Sequence, residues 1–113
     1  MISKFINKKL QYAVIGASTN TEKYGFKVFA DLLTAGYKVY PINPKGGELL
    51  EKTVYKSINE VPEKINIVIF VVPPEVTEKE LETVKKLDIR RVWMQPGSQS
   101  GQAIKFCEEN GID

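Results

Sequence analysis

Hydrophobic positions along the chain fall into short unbroken runs and longer spaced stripes, and the two kinds alternate. Residues 12–16 (Tyr-Ala-Val-Ile-Gly) form a nearly all-apolar run that stops at glycine, the pattern of a strand covered on both faces. Over residues 23–35, Val28, Phe29 and Leu32 recur at helical spacing with Gly25 on the same face, and Gly36 stands where a helix ends in a left-handed residue. A second strand is predicted over 37–42, closed by Pro41 and Pro44, and Lys45-Gly46-Gly47 reads as a loop. A short strand is expected over 53–55. Beyond it, Ser57 and Glu60 have capping-box spacing, and Pro62 limits any helix there to about one turn.

The run 67–72 is rich in β-branched residues and is the strongest strand signal in the chain. Pro73-Pro74 stops it, and Pro74 suits the first position of a helix running to about residue 88 with Leu81, Val84 and Leu87 inward. A strand over 91–94, a loop at Gln95-Pro96-Gly97-Ser98 and a helix over 99–110 ending at Gly111 complete the pattern. A short opening helix is predicted over 2–9 from Ile2, Phe5 and Ile6. Parallel strands need crossover connections, so this order implies an α/β, Rossmann-like fold, a mainly parallel open sheet with helices on both faces. In such sheets ligands sit beyond the carboxyl ends of the strands.

Length bounds the reading to one domain over 1–113, because two halves would each be too small for a core. A net charge of +2 is too weak to argue for nucleic acid, and no apolar run approaches the ~20 residues of a membrane span. The single cysteine, Cys107, forms no internal disulfide and lies at helical spacing from Ala103; it is expected to be a buried packing thiol, in a cytoplasmic setting. Trp93 is expected in the core. With no histidine anywhere, the commonest base and metal ligand are missing, and no nucleophile has an evident activator. The expectation is a binding module rather than an enzyme.

Four strand-end loops carry the unusual residues. The first, from Gly16-Ala17-Ser18 to Tyr24-Gly25, runs from strand into helix and suits either an anion at the helix N-terminus or a tight turn with hydroxyl caps. It is neither G-x-G-x-x-G nor a P-loop. The second holds Asn43, Pro44 and Lys45 where an NAD site usually places an acidic residue, roughly 20 residues past the first glycines. A lysine there favours a ribose-phosphorylated nucleotide, coenzyme A or NADP, over NAD; alternatively Lys45 is an ordinary solvated loop lysine. In the third, Val72, Pro73 and Pro74 either form an apolar rim for a ring or pantetheine chain or simply stop a strand and start a helix. The fourth places Gln95 and Ser98 at the same edge.

Taken in order, Val14-Ile15-Gly16-Ala17-Ser18, Val39-Tyr40-Pro41-Ile42-Asn43-Pro44-Lys45, Phe70-Val71-Val72-Pro73-Pro74 and Val92-Trp93-Met94-Gln95-Pro96-Gly97 resemble the stand-alone CoA-binding domain proteins. These are similar to the N-terminal domain of the succinyl-CoA synthetase α subunit. The resemblance implies that Gly16, Ala17 and Ser18 meet the CoA phosphates, and that Tyr24 and Gly25 open the helix facing them. It also implies that Lys45 with Asn43 and Pro44 borders the nucleotide end, while Val72, Pro73 and Pro74 flank adenine or pantetheine. The implied function is non-catalytic binding of coenzyme A or an acyl-CoA, with a protein partner left open; the alternative is an NADP- or NAD-binding redox sensor. The synthetase chemistry uses a histidine in another domain, so that activity is not implied. Family members usually continue past Gly111-Ile112 into a further strand beside residues 91–94, which a chain ending at Asp113 is expected to lack.

Overall fold

Four apolar runs become the four strands of one parallel sheet: β1 (Gln11–Ile15), β2 (Lys38–Ile42), β5 (Ile67–Phe70) and β6 (Arg91–Met94), in the order β2-β1-β5-β6. The computed structural model of the protein describes residues 9–113. The expected helix over 2–9 lies outside the described residues except for Lys9, which sits in a turn. Helices α1 (Tyr24–Thr34) and α2 (Pro74–Lys86) are the crossovers after β1 and β5, α3 (Gly101–Glu109) follows β6, and a small antiparallel hairpin, β3 (Glu48–Leu49) with β4 (Lys52–Thr53), follows β2.

Strand alternation splits the core into two layers. Tyr12 and Val14 of β1 and Ile67 and Ile69 of β5 share one cluster with Phe29 of α1. Ala13, Ile15, Val68 and Phe70 point the other way, against Leu81 and Val84 of α2 and Ala103 and Cys107 of α3. Both faces of the central strands are therefore covered, which is why their sequences show unbroken apolar runs rather than alternation. Phe29 is fully buried, and truncating it to alanine would cost about 3–5 kcal/mol.

The outer edge of β2 is blunted by Pro41, which has no N–H, and by Tyr55, whose N–H donates to the Pro41 carbonyl at 3.0 Å. Tyr55 thus makes only an isolated bridge to Ile42, and of the strand expected over 53–55 only Thr53 lies in one, at the end of hairpin arm β4. Its turn, Leu50-Glu51, takes φ of +51° and +69° without the glycine or asparagine that usually marks such a turn. Ser57 caps a single turn, Ile58–Glu60, by accepting the Asn59 N–H at 3.2 Å.

Two further expectations are corrected. The strand predicted over 67–72 ends at Phe70, because the Val72 N–H leaves the ladder and donates to Ser98 Oγ at 2.9 Å. Trp93 is 37% exposed rather than core: on edge strand β6 it is Val92 that faces α2 and α3. At the start of β6, Asp113 exchanges backbone bonds with Arg90 (2.8 Å) and Val92 (3.2 Å).

Candidate functional site

The carboxyl edge of the sheet is assembled around close backbone approach. Gly16 leaves β1 at φ +103°, and a Cβ there would lie 2.2 Å from the Val71 carbonyl oxygen. Gly25, in the first turn of α1, has an ordinary φ, but a Cβ on it would lie 2.0 Å from the Gly16 carbonyl oxygen. The two glycines let the start of α1 rest directly on the end of β1. Between them the loop satisfies itself: Asn20 N–H donates to Ser18 Oγ (3.0 Å), and Glu22 N–H to Asn20 Oδ1 (2.9 Å). Ser18 keeps its own hydroxyl proton free for a further acceptor.

α1 begins against every local preference. Its N-cap is Lys23, no side chain caps the first turn, and that turn contains no acidic residue. A cation there is unfavourable to the helix dipole, and the first-turn N–H groups are left pointing outward. The arrangement is the one an incoming anion completes.

Asn43 joins the first and second loops. Its Nδ2 donates to the Ala17 carbonyl at 2.8 Å, while its Oδ1 accepts the Lys45 N–H at 2.9 Å. Both ends of the amide are engaged, so Asn43 ties the two loops together while one N–H and one lone pair are left over. Between the loops lies a cleft of about 190 Å³, lined on one side by Ala17, Ser18, Thr19, Asn20 and Lys23 and on the other by Asn43, Lys45, Gly46 and Val54. The cleft holds two lysines and no carboxylate. Its volume is smaller than that of a complete ligand site, roughly 300–1,000 Å³. Larger hollows of about 430 Å³ beside β2 and about 530 Å³ between β6 and α3 include none of the residues at the start of α1.

Of the residues expected from sequence, Ala17, Ser18, Asn43 and Lys45 line this cleft. Gly16, Gly25, Pro44 and Tyr24 stand outside its lining, the two glycines in close backbone approach to each other. Val72, Pro73 and Pro74 lie further along the edge, at the end of β5; Val72 packs on Gly16, and Pro73 is exposed. Thr19, Asn20, Lys23, Gly46 and Val54 were not singled out by sequence. Lys23 had a readable signal, a basic residue where a serine, threonine or aspartate cap is usual.

The β5–β6 side is chemically different. Gln95 N–H donates to the Phe70 carbonyl (3.1 Å) and Ser98 N–H to the Gln95 carbonyl (2.8 Å). The Tyr24 hydroxyl reaches across to Gln95 Oε1 at 3.4 Å. Cys107 is buried in the core away from this edge, and burial followed by the Glu108 charge pushes its thiol pKa up, the reverse of an activated nucleophile. Among the described residues no group of three or more His, Cys, Asp or Glu is gathered to hold a metal, and no helix is long and apolar enough to cross a membrane.

Known proteins resemble this chain in sequence and fold. The chain is 40% identical over 76 residues to the α subunit of ADP-forming acetate–CoA ligase I of Pyrococcus furiosus, covering 62% of this chain and 16% of that one. It is 36% identical over 87 residues to the ADP-forming acetate–CoA ligase of Methanocaldococcus jannaschii, covering 77% of this chain and 12% of the ligase. The chain thus spans less than a fifth of the length of these ligases. A solved structure of a conserved hypothetical protein from Pyrococcus furiosus superposes with a TM-score of 0.87 at 34% identity, covering 92% of this chain and 90% of that one. The CoA binding domain family matches residues 10–113, which include every strand and helix described above, and the chain belongs to that family.

Proposed function

We propose that the protein binds coenzyme A or an acyl-CoA without transforming it, as a sensor or delivery module. The observation that carries this reading is the uncapped start of α1, with Lys23 at its N-cap and Lys45 on the opposite wall of the same cleft. Backbone N–H groups around Gly16, Ala17 and Ser18 and at Tyr24 and Gly25 would receive phosphate oxygens. Lys23 and Lys45, with Asn43 and Pro44, would hold the phosphorylated ribose, and Val72, Pro73 and Pro74 would flank the arm leading away from it. The named activities of the ligase relatives support CoA as the ligand.

An NADP-binding module shares part of this support, because the end of β2 carries Lys45 in place of the acidic residue that holds an unphosphorylated ribose. Isothermal titration with CoA, dephospho-CoA, NADP and NAD separates the two. CoA is expected to bind tightest, with dephospho-CoA and the Lys45→Ala variant each weaker by roughly 10–100-fold, the worth of a lost charge-assisted hydrogen bond. Binding of NADP alone, or of none of the four to the folded protein, would remove the CoA assignment.

A further inference from the structure

One stretch of sheet edge is left unpaired, and a single proline is the cause. Along the outer side of β2 the Tyr55 N–H donates to the Pro41 carbonyl (3.0 Å), and the Tyr55 carbonyl accepts the Asn43 N–H (2.9 Å). The next rung of this parallel ladder would run from the Thr53 carbonyl to an N–H at residue 41, which proline lacks. Thr53 pairs instead with Glu48 in the hairpin. Successive strand residues turn their backbone groups to opposite edges, so the N–H and C=O of Val39 face the same outer side as the Pro41 carbonyl. Neither meets a partner there among the described residues.

The hollow of about 430 Å³ lies between this edge and the hairpin, and it is large enough for a small-molecule site. Val39 and Pro41 line it although both are buried. Tyr37 belongs to the core layer on the α1 side of the sheet, and Tyr40 and Tyr55 to the opposite layer, so aromatic rings flank the edge from both faces. Two of these walls are held in place. The Tyr37 ring stands edge-on to Tyr12 at 5.4 Å, and the Tyr40 hydroxyl donates to Gln11 Oε1 at 2.9 Å. Lys38 and Lys52 line the hollow with one carboxylate, Glu51, and neither lysine is in an ion pair among the described residues. No residue lines both this hollow and the cleft beside Ser18.

We propose that this hollow is a second ligand site, for a nucleoside monophosphate whose base is read by the open edge of β2. A flat base with a hydrogen-bond acceptor beside a donor matches the Val39 N–H and C=O, and the tyrosines on either side suit a planar ring. Lys38 and Lys52 take the phosphate. The site stands independently of the CoA reading. Uridine 5′-monophosphate carries all three features and serves as the probe. Uridine lacks the anion, and 3-methyluridine 5′-monophosphate lacks the donor.

Calorimetric titration of the wild type with these three probes tests the site. Uridine monophosphate is expected to bind, with uridine weaker by roughly 10-fold or more and the methylated nucleotide by roughly 5-fold or more. The Lys38→Ala/Lys52→Ala protein should bind the monophosphate no better than the wild type binds uridine. Thr53→Trp, at an exposed hairpin position, fills the hollow and should abolish binding, while Lys45→Ala leaves it within about twofold. If Thr53→Trp does not fold, the lysine pair decides. No binding of the monophosphate to the folded wild type would overturn the proposal, as would equal affinity for the methylated nucleotide. Loss on Lys45→Ala with the lysine pair unaffected would place the probe in the cleft and overturn it too. None of these results bears on CoA.

Discussion

At the carboxyl edge of one sheet, α1 and α3 begin in opposite ways. Ser100, the N-cap of α3, accepts the Ala103 N–H at 3.0 Å and is held against Glu78 Oε2 at 2.6 Å, so the positive end of that helix is answered from within the protein. α1 starts at Lys23 with no capping side chain and no acidic residue in its first turn, and Lys45 faces it across the cleft. One helix end has a side-chain cap, the other has none. A helix that forgoes its cap gives up stability of about 0.5–2 kcal/mol, which is the expected signature of a site that a ligand completes. The edge is thus divided into a lysine-lined side over β1 and β2 and a side over β5 and β6 whose helix start is capped from within the protein.

The glycines at the two helix starts give the largest expected difference. Gly25→Ala would drive a Cβ to 2.0 Å from the Gly16 carbonyl oxygen, whereas a Cβ on Gly101 at the start of α3 has nothing within 4 Å. Gly25→Ala is expected to destabilise by about 3 kcal/mol or more, lowering the melting temperature by roughly 12–20 °C and abolishing ligand binding. Gly101→Ala should be neutral or stabilising by up to about 1 kcal/mol. Equal effects in thermal melts would mean that α1 is not seated on β1 as described.

Exchanging the caps is the subtler test. Ser100→Ala is expected to cost about 1–2 kcal/mol and leave ligand affinity alone. Lys23→Ser should do the reverse on both counts, stabilising the free protein by about 0.5–1 kcal/mol while weakening CoA by roughly 3–10-fold. Thermal melts and titrations of the two variants side by side give both readings; a Lys23→Ser protein that is less stable would show that the lysine serves the fold.

Much of this division is legible in the chain because its causes are local. The unbroken apolar runs of β1 and β5 announce strands covered on both faces, Pro73-Pro74 marks the change from strand to helix, and Gly16 marks the turn. What sequence misses depends on distant partners. The Leu50-Glu51 turn adopts positive φ without a glycine, and the buried Leu49 and Val54 on its two arms share the α1-side core. Trp93 has a core residue's composition but an edge strand's place, which only the strand order reveals. Asn43 also ties the second loop to the first through a bond to the Ala17 carbonyl, 26 residues away, which sequence does not show. Thr19, Asn20, Gly46 and Val54 become neighbours only when the first two loops fold together.

The division of the edge is tested most directly by following backbone amide resonances during a CoA titration. The largest shifts are expected at residues 16–25 and 43–46, with smaller ones at Gln95 and almost none over 101–109. Shifts centred on the start of α3, or spread evenly along the whole edge, would contradict the assignment of the phosphates to the uncapped helix.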